Sequence, residues 1–460
     1  MSGINETETP PTKLWCEHVW LGGERVESGV VLSITGEQIS AVHVARPTPP
    51  PDADIALGLT IPGMANAHSH AFHRALRGRT HGGTGTFWTW RDQMYRLAAS
   101  LTPDAYLDLA TATYAEMALA GITCVGEFHY LHHGPDGDPY DDPNEMSVML
   151  VEAARRAGIR ITLLDTCYLH GGIGAELNAV QRRFSDGNAY DWTLRAMDAG
   201  DLWSSVARTG AAIHSVRAVD PASMATVAAF DGGVGVLHAH VSEQPAENAD
   251  CQHAYGGTPV EMLASAGALG SRFTAVHATH LSANDVALLG TSRSTVCLCP
   301  TTERDLGDGI GRVRDLHKAK ARLAVGSDSH AVIDLFEEAR GVEFGERLTS
   351  LQRGRIPASD LLAAATSRGY ASLGWSEAGT IAEGSAADLC VVSLDSVRLS
   401  GVEQESILPA VVFAASAADV TDVMVAGQWT VRNGEHERIP NVVGALRSAI
   451  TRAWQLTEAL

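Results

Sequence analysis

Ile61-Pro-Gly-Met-Ala-Asn-Ala-His-Ser-His70 is a short apolar run that ends in two histidines one residue apart. Side chains on an extended strand alternate with a period of two, so His68 and His70 project to one face. Two neutral imidazoles in that arrangement can grip one borderline metal ion such as zinc. They could equally fill a buried polar layer. What the rest of the chain brings to the same place decides between the two.

Downstream, apolar strand-like runs recur: Ile122-Thr-Cys-Val, Ile159-Arg-Ile-Thr-Leu-Leu, Gly210-Ala-Ala-Ile-His, Gly235-Val-Leu-His, Thr274-Ala-Val-His, Thr295-Val-Cys-Leu and Leu323-Ala-Val-Gly. Helical stretches, such as 104–119 and 144–157, lie between them. Strand–helix alternation implies parallel strands joined by crossover helices. About eight such units in roughly 270 residues predict an α/β fold, a (β/α)8 TIM-type barrel. The barrel is expected over 61–378. The two ends read differently. Short alternating strands near 13–16, 26–32 and 39–44, with a proline-rich loop at 47–51, resume in style at 387–393 and 420–431. Residues 1–60 and 379–460 are expected to combine into a small β-sandwich, with a closing helix over 442–460.

With 460 residues, 45% of them hydrophobic, the chain can bury a large core. Its formal net charge of −20, from 34 basic and 54 acidic residues, argues against nucleic acid as a partner. No apolar run approaches the ~20 residues that cross a bilayer, so no membrane partner is expected. The start, Met1-Ser-Gly-Ile-Asn-Glu-Thr-Glu, lacks the basic and apolar regions of a secretion signal. Seven cysteines form no closely spaced framework, and Cys297-Leu-Cys299 sits in an apolar run. Reduced thiols and a cytoplasmic setting are expected.

In such barrels chemistry collects at the C-terminal ends of the strands. There the sequence offers His68-Ser-His70, His238-Ala-His240-Val-Ser-Glu243, Val276-His277-Ala-Thr-His280 and Gly326-Ser-Asp328-Ser-His330. Imidazoles plus one aspartate, with a position left for water, make the ligand set of a catalytic zinc. Of the alternating pair, His240 lies nearer its strand end and is the expected ligand, with His238 inside the barrel. His280 is expected to cap the next helix or to touch substrate. Asp328 taken alone could be a helix N-cap. Such a zinc lowers the pKa of its water to about 7. Glu243, three residues past His240, is placed to shuttle a proton. His277 would polarise the reacting centre, and Asp328 would orient or deprotonate the water.

The order of these histidines and the aspartate across a barrel flanked by a split sandwich resembles the amidohydrolase superfamily, over nearly the whole chain. Two-metal members of that superfamily use a carboxylated lysine on the fourth strand. The only lysines here are Lys13, Lys318 and Lys320, none near Ile213-His214. The resemblance therefore implies one metal per chain, zinc with ferrous iron as the alternative, held by His68, His70, His240 and Asp328. It also implies a deaminase, and often a homodimer.

Longer stretches resemble the formimidoylglutamate deiminase family. They are Phe87-Trp-Thr-Trp-Arg-Asp-Gln-Met-Tyr95, Val125-Gly-Glu-Phe-His-Tyr130, Ile213-His-Ser-Val-Arg217 and Cys299-Pro-Thr-Thr-Glu-Arg-Asp-Leu-Gly-Asp-Gly309. By that resemblance Arg91, Tyr130, His214 and Arg217 hold the carboxylates of a small dicarboxylate amidine. Arginine suits such groups, because it gives bidentate, charge-assisted hydrogen bonds. Either arginine could also form an ordinary ion pair. Where the family often carries glutamine beside the formimino group, this chain has His73. Histidine there either suits the same substrate or marks a different reacting end, such as a guanidino group. Two further readings compete: a deaminase of a nucleobase-like ring, and a metal-binding scaffold without turnover. The arginines argue against the ring, and the complete ligand set against the scaffold.

Overall fold

The structure, a computed structural model, describes residues 12–82 and 85–459. The polar segment 1–8, read above for secretion signals, lies outside the described residues. Four strands open the chain: β1 (Thr12–Val19), β2 (Glu27–Thr35), β3 (Gln38–His43) and β4 (Ala53–Pro62). Four close it: β13 (Leu389–Val392), β14 (Val420–Val425), β15 (Gln428–Arg432) and β16 (Glu435–His436). They make one mixed eight-stranded sheet, ordered β16-β15-β14-β13-β4-β1-β2-β3. The sheet doubles back on itself. The Ile39 N–H donates to the Ser385 carbonyl and the Ala387 N–H to the Glu37 carbonyl, both at 2.8 Å. Leu14, Val30 and Leu32 from one end thereby share an apolar core with Ala387, Leu389 and Val391 from the other.

Between the two ends run the eight parallel strands β5 (Met64–Ser69), β6 (Ile122–His129), β7 (Arg160–Cys167), β8 (Ala207–Ile213), β9 (Leu237–Val241), β10 (Phe273–His277), β11 (Thr295–Leu298) and β12 (Arg322–Val325). They pair in chain order from β5 to β12. Nearly every residue of these strands is buried. That is why they read as continuous apolar runs rather than as alternating ones. The expected helices appear as Pro103–Leu119 and Glu145–Ala157. Asp104, in the first turn of one, and the left-handed Gly158 that ends the other are ordinary helix signals.

One detail differs from the sequence reading, and two more are added by the structure. The run Ile61–His70 is two strands, because β4 pairs with β13 up to Pro62 and β5 starts afresh at Met64. The closing helix, Val442–Glu458, packs against barrel helices. There the Trp454 indole N–H donates to the Ala75 carbonyl (2.8 Å), and the Thr457 and Ser100 hydroxyls lie 2.7 Å apart. Asp328 caps no helix; Asp334 does, accepting from the Phe336 and Glu337 N–H groups.

The cylinder closes where β12 meets β5. The contact is one bridge, Ser69 to Asp328, among the described residues. The Asp328 N–H donates to the His68 carbonyl (3.0 Å), and the His70 N–H donates to the Asp328 carbonyl (3.3 Å). Only glycine fits at 326, because a Cβ there would lie 2.8 Å from the backbone N and O of His68.

Candidate active site

Strand ends bring four side chains to one point. The His68 and His240 Nε2 atoms are 3.1 Å apart, and His68 Nε2 is 3.3 Å from Asp328 Oδ1. His70 Nε2 lies 3.4 Å from the same oxygen. Ligands about 2.0–2.1 Å from a tetrahedral ion stand roughly 3.3–3.4 Å from each other, so the spacing is that of a zinc-sized site. The other ring nitrogens agree. His70 Nδ1 is 2.9 Å from the Phe128 carbonyl, and His240 Nδ1 is 2.9 Å from the His214 carbonyl. Each Nδ1 therefore carries a proton and each Nε2 turns a lone pair toward the centre. Burial holds all three imidazoles neutral, with His68 pushed down to about 3. Burial alone would raise the Asp328 carboxyl. The His68 hydrogen bond and the neighbouring histidines outweigh it and hold Asp328 ionised. Imidazole nitrogens crowded beside one ionised carboxylate fit a divalent cation.

A network behind the ligands ties β5 to the end of β12. The Ser69 hydroxyl donates to Glu127 (2.6 Å) and lies 3.1 Å from His330 Nε2. His330 Nδ1 is 2.9 Å from Ser327 Oγ, which accepts from the Asn66 amide (2.7 Å). Glu127 also accepts the Ala71 N–H (2.7 Å), yet burial still pushes its carboxyl up to about 7. Left-handed backbone at Ser242, His277, Ala278, Asp328 and His330 gathers around the same centre. Strain of that kind persists where the surroundings over-determine a geometry.

His277 stands beside the ligands. Its Nε2 is 3.7 Å from Glu243 Oε1 and 3.8 Å from Asp328 Oδ2, and its Nδ1 is 3.5 Å from Glu303 Oε1. Burial alone would lower the imidazole, but Glu243, Glu303 and Asp328 push it up to about 10. His238 is held elsewhere, 2.9 Å from the Ser372 carbonyl. His280 faces the Asp308 carbonyl at 2.8 Å, while Ser282 caps the following helix.

A cavity of about 240 Å³ opens over this centre. His73, Arg91, Tyr130, His214 and Arg217 all line it, together with Glu243, His277 and Asp328. The His73 Nε2 and the Tyr130 hydroxyl are 3.0 Å apart. The Arg91 guanidinium lies over Trp88 (4.4 Å) and Tyr95 (5.4 Å), with no carboxylate in reach among the described residues. Arg217 instead donates to Glu243 Oε2 (3.0 Å).

Glu127, Glu303, Glu247 and His330 join the site with no role expected from the sequence. Glu127 and Glu303 sat inside quoted stretches, and His330 two residues past Asp328. Glu247 had a faint signal, four residues after Glu243 in the first turn of the helix Pro245–Tyr255. All seven cysteines are buried and free.

Known proteins share this plan. A family model described as the amidohydrolase family matches residues 59–430. The chain is 40% identical over 391 residues to formimidoylglutamate deiminase of Pseudomonas aeruginosa, covering 82% of this chain and 86% of that one. A solved amidohydrolase from Brucella melitensis superposes with a TM-score of 0.89 at 30% identity, over 96% of this chain and all of the other. An adenosine deaminase from Xanthomonas campestris, solved with bound zinc, shares the fold with a TM-score of 0.83 at 23% identity, over 98% of this chain and all of that one. With its barrel, its converging histidines and these matches, the chain belongs to the amidohydrolase family.

Proposed function

We propose that the protein is a zinc-dependent deiminase that hydrolyses N-formimino-L-glutamate to N-formyl-L-glutamate and ammonia. One observation carries the reading: His68, His70, His240 and Asp328 crowd together beside a cavity that two arginines line. The identity to the Pseudomonas enzyme supports the same substrate.

His68, His70, His240 and Asp328 would hold one zinc, with ferrous iron as the alternative. Zinc supplies there the Lewis acidity that makes water a competent nucleophile near neutral pH. Glu243 carries a proton from the attacking water to the leaving nitrogen. His277, kept protonated by its three carboxylate neighbours, donates a hydrogen bond to the centre where charge develops. Asp328 orients the nucleophile and accepts its proton. Arg91 and Arg217 take the two substrate carboxylates, and Tyr130 and His214 flank them. His73, fixed by Tyr130, faces the formimino end. Water adds to the C=N carbon, the C–N bond breaks, and ammonia leaves.

The reading includes a homodimer, as the family resemblance implies, and a cytoplasmic setting, in keeping with seven free, buried thiols. Among the described residues no helix is long and apolar enough to cross a membrane. Ammonia release by zinc-loaded protein tests the proposal on formiminoglutamate, guanidinoglutarate, cytosine and adenosine. Turnover of the first alone is expected. Turnover of guanidinoglutarate in preference to it would move the reading to a guanidino substrate.

A further inference from the structure

Arg91 and Arg217 differ in one respect that bears on specificity. Arg91 is stacked on aromatic rings and has no acidic partner among the described residues. Arg217 is already engaged. Its Nη2 donates to Glu243 Oε2 at 3.0 Å, and its Nε lies 4.0 Å from Glu247 Oε2. Glu243 lines the cavity, whereas Glu247 does not and its side chain is wholly buried. Glu247 is anchored where it is. It sits in the first turn of the helix Pro245–Tyr255 and accepts the Glu243 N–H at 3.1 Å. Its other oxygen has no partner.

Arg217 and Glu243 both line the cavity, so a carboxylate that enters it competes with Glu243 for one guanidinium. Two carboxylates crowded on one guanidinium edge, with a third behind it, repel each other more than one cation offsets. Glu247 is pinned by the Glu243 N–H outside the cavity, whereas the Glu243 carboxylate faces into it.

We propose that Arg217 exchanges Glu243 for a substrate carboxylate, and that Glu247 is the positioning residue that holds the guanidinium through the exchange. This rests on the deiminase reading. The exchange frees Glu243 to turn toward the reacting carbon and its leaving nitrogen. A second carboxylate is then a condition for turnover and not only for affinity, which restricts the substrate class to dicarboxylates. Remote binding energy is thereby spent on the chemical step.

The test uses zinc-loaded enzyme and three substrates. They are formiminoglutamate, N-formimino-4-aminobutyrate without the α-carboxylate, and N-formimino-L-2-aminobutyrate without the side-chain carboxylate. At saturation, the analogue that leaves Arg217 unvisited is expected to lose about 100-fold in kcat. Added propionate should restore about tenfold of that loss by taking the empty place. Glu247→Gln should raise KM for formiminoglutamate about tenfold, with KM for that analogue unchanged. A crystal structure with N-formyl-L-glutamate bound should show Arg217 and Glu243 apart. Equal kcat for all three substrates, no rescue by propionate, or an intact Arg217–Glu243 hydrogen bond in the product complex each overturns the exchange. Those results leave the deiminase reading standing, whereas absence of ammonia from formiminoglutamate itself would overturn both.

Discussion

His68, His70 and His240 at the barrel mouth and His129, His132 and His133 behind β6 are all buried, yet the two groups do different things. In the first, the Nδ1 atoms of His70 and His240 are spent on backbone carbonyls and their Nε2 lone pairs converge beside a carboxylate. In the second, no common centre exists. His132 Nε2 faces the Thr166 carbonyl (3.0 Å), and His133 Nε2 faces Asp186 (3.1 Å). A cation is already present there, since Arg195 pairs with both Asp165 (2.7 Å) and Asp186 (2.8 Å). Burial of imidazole is thus no sign of a metal. Convergence of lone pairs, with the charge left unbalanced, is the sign.

Four experiments would sharpen or break that contrast. Replacing His240 or Asp328 by alanine should remove bound zinc and lower ammonia release by more than about 1,000-fold. Metal analysis and single-substrate kinetics read this, and full zinc occupancy in both variants would contradict the ligand set. Arg195→Met should leave two buried carboxylates unpaired and destabilise the fold by about 3–5 kcal/mol. The folded fraction should still bind one zinc per chain; if it bound none, the second group would share in the metal site.

Acid offers a third probe. Burial pushes His132 down to about 4 from an unfolded value of 6.5. Between those values the unfolded chain binds the extra proton, so stability rises with pH. His132 therefore contributes stability that is whole above pH 6.5, declines as pH falls, and is lost through pH 4. The amount is about 3 kcal/mol. Denaturant titrations at pH 7 and pH 4.5 should show a smaller loss for His132→Asn than for wild type, and equal losses would remove His132 from the account. The smallest effect is expected at Arg91. Arg91→Ala should raise KM for formiminoglutamate about 10- to 100-fold and leave zinc content untouched. An unchanged KM would deny it a carboxylate.

The mouth was legible in the sequence because its parts obey short-range rules. His68 and His70 share a face by strand period, and His240 and Asp328 each stand at the end of an apolar run that reads as a strand. The group behind β6 was not legible. His133 meets Asp186, and Arg195 bridges Asp165, Asp186 and Asn144, across separations that no local pattern encodes. The break at Gly63 was hidden for a related reason: Ile61 and Met64 are alike in character, and only their partners in two different sheets part them. Placement of Val442–Glu458 depended on Trp454 finding Ala75, far back in the chain. The Arg91 and Arg217 positions came from resemblance. Their differing environments, one stacked and one ion-paired, came only with coordinates.

The seam between β12 and β5 has a consequence for assembly. Among the described residues its backbone joins the first and last staves of the cylinder by a single rung, at Ser69 and Asp328. His68 and His70 belong to one margin of that seam and Asp328 to the other. If the proposed ion is held from both margins it acts as a rivet, and finishing the barrel and arming its chemistry would be one event. On that reading, a chain whose final stave is still undocked would lack the assembled centre.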